Sequence, residues 1–62
     1  MKYIITYNSG KEYIVDDFED LYEPIENIAG TEEAIEVCSW AEHAYWEDKY
    51  EHYRFIITMK ED

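Results

Sequence analysis

Hydrophobic and polar positions change period along this chain, and each change marks an element. Lys2-Tyr3-Ile4-Ile5-Thr6-Tyr7 is dense in β-branched and aromatic residues and predicts a strand over about 2–8. Asn8-Ser9-Gly10 has turn chemistry, and Lys11-Glu12-Tyr13-Ile14-Val15-Asp16 returns over about 11–16, closing a hairpin. Over 17–30 the pattern weakens. Asp17 can cap a turn that aligns Phe18, Leu21 and Tyr22, and Pro24 disfavours helical geometry at Glu23. Ile25 and Ile28 suit a second turn closed by Gly30. The expectation is a loop with one or two helical turns, pinned by its apolar residues.

A period of 3.6 follows. Thr31 reads as an N-cap, Glu32 and Glu33 fall where the helix dipole favours anions, and the helix is expected over about 32–46. Ala34, Cys38, Ala41 and Tyr45 form its buried stripe, with Val37 and Ala44 beside them. Glu36, Ser39, His43 and Glu47 take the opposite face, and Trp40 and Trp46 fall at the margins, half exposed. From about 51 to 60, Tyr53, Phe55, Ile57 and Met59 alternate with Arg54, Ile56 and Thr58 as a last strand. The expected fold is α+β: β-β-α-β, a three-stranded antiparallel sheet in the order 2-1-3, with one main helix on one face. The order 1-2-3 would need a parallel pair from a short crossover and is disfavoured.

Length and composition make this pattern one domain. A 62-residue chain buries only about 60% of its unfolded surface, so its core must be dense. Seven Tyr, two Trp and two Phe supply large apolar area per residue. A single cysteine, Cys38, rules out an internal disulfide. No run reads as a signal peptide or reaches membrane-spanning length, so a reducing cytoplasm is the expected setting.

Charge changes the picture most. Sixteen acids against five bases give a net charge of −11, and no Lys or Arg occurs from Glu12 to Asp48. Spread over a body with a radius of gyration of about 11 Å, that charge approaches the density of duplex DNA, where eleven charges span about 19 Å. Nucleic acid and anionic membranes are therefore poor partners, and a basic protein groove is a good one. A magnitude of 11 also exceeds the ~2–8 that solubility asks of a small domain.

Catalytic and metal chemistry find little support. Cys38 and His43 lie five residues apart on a helix, about 140° around the axis, so they do not converge on a metal with His52. Asp16-Asp17-Phe18-Glu19-Asp20 lacks the alternating ligands, central Gly and closing Glu of a calcium loop. Ser39 and His43 are one turn apart on an exposed face without an oxyanion loop. The expectation is no enzyme activity, no metal and no cofactor.

In its size, its base-free acidic span and its compact α+β pattern, the chain resembles the small acidic phage-encoded inhibitors that mimic DNA, the anti-CRISPR and antirestriction type. The resemblance covers the whole chain and carries no diagnostic motif. It implies that Asp16, Asp17, Glu19, Asp20, Glu32, Glu33, Glu36 and Glu47 stand in for phosphates. They would occupy the Lys and Arg side chains with which a CRISPR effector or restriction enzyme holds duplex. Tyr13, Tyr22, Tyr50, Trp40 and Trp46 exceed what one helix–sheet interface can bury, and interleaved with carboxylates they are candidate aromatic contacts, Trp40 and Trp46 foremost. The implied setting is the cytoplasm of a bacterial host. The rival expectation is a small structural or regulatory subunit that docks through its aromatic face or a strand edge. An open edge also permits a homodimer, opposed by eleven like charges per copy.

Overall fold

The computed structural model describes residues 2–43 and 47–60. Strands β1 (Lys2–Tyr7) and β2 (Glu12–Val15) form the expected hairpin. Tyr7 accepts from the Gly10 amide at 2.9 Å and donates its own to the Lys11 carbonyl at 2.9 Å, with Gly10 at φ 93°. That is a three-residue loop with glycine in the left-handed position it alone takes without strain.

The stretch expected as a loop is more ordered than its residues imply. A 3-10 turn, Phe18–Leu21, runs directly into helix α1 (Tyr22–Ala29). The Asp17 carboxylate accepts from the Glu19 amide at 3.5 Å at its start. Pro24 does not interrupt the helix because it is the third residue of α1, in the first turn, where a missing amide hydrogen costs nothing. Leu21 and Ile25 are fully buried, so the apolar residues pin this segment as expected.

Gly30 alone separates α1 from α2 (Thr31–His43). At φ 95° it donates to the Glu26 carbonyl at 3.0 Å and accepts from the Ala34 amide at 3.1 Å, ending one helix and opening the next. Thr31 is thus the first helical residue and not the cap, and its hydroxyl donates to Glu26 Oε2 at 3.1 Å instead. The expected end of this helix at 44–46, with Ala44, Tyr45 and Trp46, lies outside the described residues.

The expected last strand is two strands. β3 (Lys49–Glu51) and β4 (Phe55–Lys60) pair antiparallel around a tight turn at Tyr53 and Arg54. Among the described residues the sheet has four strands in the order β2-β1-β4-β3, all neighbours antiparallel. The α+β class and the central place of β1 beside the final strand agree with the sequence pattern. The strand and helix counts are corrected upward. The alternation from Tyr53 onward disguised the turn: Tyr53 is 75% exposed at its tip, not on the core face. Its backbone uses no positive φ outside glycine, so no Asn-Gly signature announces it. The Asn8 side-chain amide, bonded to the Tyr53 carbonyl, and Arg54, bonded to the Ile28 carbonyl at 3.2 Å, hold it against β1 and α1.

Tyr3 and Ile5 of β1, Val15 of β2, and Phe55 and Ile57 of β4 bury one face of the sheet beneath Leu21, Ile25, Ala34, Val37 and Trp40. The buried face of α2 is turned toward Val37 and Trp40, while Cys38 and Ala41 are only partly covered. The extra strand explains the rotation. It brings Tyr50 to 5.4 Å from the Trp40 ring, and Tyr50 in turn stacks on Phe55 at 6.3 Å. Trp40 therefore belongs to the core, not to its margin.

Candidate functional site: an acidic helical layer and the groove beside it

Register separates the charges of this molecule. On the face of the sheet away from the helices, Lys2 pairs with Lys60, Ile4 lies between Ile14 and Thr58, and Lys49 sits opposite Thr58. Three of the five bases are thus collected on one side, together with Glu12 opposite Thr6 and Glu51 opposite Ile56. Lys49 lies 4.0 Å from Glu51 there. The opposite layer, from Asp16 through α2, contains no Lys or Arg of its own, although Arg54 of the β3–β4 turn reaches the Ile28 carbonyl at the end of α1. Asp16, Asp17, Glu19 and Asp20 are exposed on the connection out of β2, and Glu32 and Glu36 are exposed on α2. Glu47 is exposed just before β3. Among the described residues none of these seven carboxylates has a cationic side chain within 4.0 Å, so their field reaches solvent largely uncancelled.

Glu33 differs from the other expected phosphate substitutes. It is half-buried, accepts from the Tyr50 hydroxyl, and lies 3.9 Å from His52 Nε2. It ties α2 to β3 and is not presented freely. Trp40, expected as an aromatic contact, is buried and not available to a partner. Trp46 lies outside the described residues. Tyr13, one of the aromatics expected in excess of what the core can bury, is 52% exposed. Its place on an edge strand leaves it uncovered on the helix side.

Tyr13 leads to the groove. Between the outer edge of β2 and helix α1 runs an open cleft of about 910 Å³. One wall carries Tyr7, Tyr13 and Val15, and the other Tyr22, Pro24 and Ile28. Asp16, Glu19, Asp20 and Glu23 rim it, and no basic side chain among the described residues lines it. Burial, then the neighbouring Tyr13, pushes the Tyr7 phenol above its ordinary range, so the Tyr7 ring stays neutral at physiological pH.

The groups considered for chemistry do not assemble. The Cys38 thiol donates to the Phe18 carbonyl at 3.5 Å, and burial, then Glu19, raises its pKa, which disfavours the reactive thiolate. His43 Nδ1 lies 3.1 Å from the Ser39 carbonyl, a contact to backbone and not to the serine hydroxyl. His52 stacks on Phe55 at 4.6 Å. Among the described residues no three metal-ligating side chains converge, and no helix is long and apolar enough to cross a membrane.

Tyr50 gives this layer a pH signature. Burial, then the hydrogen bond and charge of Glu33, then Glu36, push its phenol far above the ordinary tyrosine range. Above about pH 10 the unfolded chain releases this proton while the folded protein keeps it, so stability falls as pH rises. Urea unfolding at about pH 9 and about pH 11 is expected to show that decline, reduced in Tyr50→Phe. An equal decline in both proteins would contradict this account of Tyr50.

Comparison with protein-family models, with curated proteins and with solved structures gives no match.

Proposed function

We propose that this domain is a non-catalytic inhibitor that binds a basic, nucleic-acid-handling protein through its acidic helical layer and so excludes nucleic acid from it. The observation that carries the reading is the segregation of charge. Exposed carboxylates from Asp16 to Glu36 occupy one layer with no base in their span, while Lys2, Lys49 and Lys60 lie across the sheet. Mixed surface charge would serve solubility equally well without the self-repulsion. A field of one sign on one side meets a surface of the opposite sign, and carboxylate pairs match the guanidinium geometry that holds phosphate. Within that reading the target is a protein such as a CRISPR effector or restriction enzyme, whose duplex-binding channel presents Arg and Lys.

The test is capture from a bacterial lysate containing such enzymes, followed by elution with salt or with competing duplex. The expected result is a DNA-binding protein retained at ~0.15 M salt, released at several-fold higher salt, and displaced by duplex. A partner held equally at both salts and indifferent to duplex would overturn mimicry. It would instead favour apolar docking on the uncovered sheet face, where Ile14 is 57% and Ile56 37% exposed.

A further inference from the structure

We propose that the groove between β2 and α1 receives an extended basic segment of the partner, which pairs with the outer edge of β2 as an added strand. This inference rests on the partner being basic and specifies how one part of it is held.

Three independent features converge on that groove. The first is a free backbone edge. The Tyr7 amide bonds to the Lys11 carbonyl, and Ile5 is paired with Tyr13 and Tyr3 with Val15. The alternation of an antiparallel ladder then turns the main-chain groups of Lys11, Tyr13 and Val15 toward β1, and those of Glu12 and Ile14 away from it. β2 is terminal in the sheet, and among the described residues no backbone group of another segment bonds to Glu12 or Ile14. Edge strands left open in this way are templates for pairing.

The second feature is charge. Asp16, Glu19, Asp20 and Glu23 rim the cleft without a lining base among the described residues. Arg54, at the end of α1, is already engaged by the Ile28 carbonyl at 3.2 Å and by the Tyr53 ring, 5.2 Å from its guanidinium carbon. The third is the aromatic wall. Tyr13 and Tyr22 offer faces on which guanidinium groups stack.

The pleat then dictates a side-chain pattern for the occupant. On a strand laid beside β2, alternate side chains point into the cleft, toward the tyrosines and carboxylates. The others point to the open face of the sheet, where Ile14 is 57% exposed beside Ile4. The segment recognised alternates Arg or Lys with β-branched apolar residues.

A seven-residue peptide alternating Arg and Val, with blocked termini, tests this on the intact domain. Amide chemical shifts and hydrogen exchange give the readout at about 0.05 M salt. The expected result is binding that shifts and protects the Glu12 and Ile14 amides. Of two versions N-methylated at alternate residues, only the set whose amides face β2 should bind at least about tenfold more weakly. A peptide of the same composition with its arginines in one block should also bind more weakly. Binding that leaves the Glu12 and Ile14 amides unprotected, shifts the α2 acids instead and tolerates both N-methylated sets would overturn the groove but keep the basic-partner reading. No shift anywhere would overturn both.

Discussion

Trp40→Ala is expected to cost about 3–5 kcal/mol, which is most of the stability of this domain. A chain of 62 residues has roughly 3–9 kcal/mol to lose. Trp40 is 9% exposed, packs against Tyr50 at 5.4 Å, and through it reaches Phe55, which is fully buried. Removing the indole leaves a void between α2 and the β3–β4 hairpin, beside the Tyr50 ring that is held by Glu33. Urea or thermal unfolding followed by far-ultraviolet circular dichroism measures the loss. Trp40→Phe should keep most of the stability, because it fills much of the space, and no partner for the indole N–H is present among the described residues. An alanine variant that melts within a few degrees of the parent would show that Trp40 is not a core residue.

The second large effect separates binding from folding. Replacing Asp16, Asp17 and Asp20 with Asn and Glu19 with Gln removes four exposed charges at nearly constant shape. Asn caps as well as Asp, so the bond from the Glu19 amide to residue 17 survives. Charge-assisted hydrogen bonds contribute about 1.5–3 kcal/mol each, so affinity for the captured partner should fall by about tenfold or more. Stability should stay level or rise, because self-repulsion is reduced. A variant that loses stability while keeping its partner would assign these acids to the fold and not to the contact.

Much of the architecture was legible in the residues. The β1–β2 hairpin follows from Gly10 and its β-branched flanks, and the pairing of β1 with the last strand follows from avoiding a short parallel crossover. The tight turn at Tyr53 and Arg54 was hidden because strand-like alternation runs straight through it. The Asn8 and Arg54 contacts that support it lie 45 and 26 residues away in sequence. Missing that turn also misplaced Trp40: without β3 and Tyr50 there is nothing beyond Val37 for the helix to cover. Helix α1 was underrated because Pro24 is a breaker by default and harmless only in the first turn. At the acidic surface, counting gave the layer but not its exceptions. Glu33 is drawn into the Tyr50 and His52 contacts, and only the register shows which backbone groups of β2 face outward. The groove is a product of topology, formed where an edge strand and a helix adjacent to it in sequence leave space between them.

The central claim is that the acidic layer occupies the same site on its partner that nucleic acid does. Displacement of labelled duplex from the captured partner by this domain, titrated at low and at several-fold higher salt, tests it most directly. The account predicts competitive displacement, weakened by salt, with the four-site amide variant needing at least about ten times the concentration. Simultaneous binding of duplex and this domain to the partner, unaffected by the four substitutions, would contradict it.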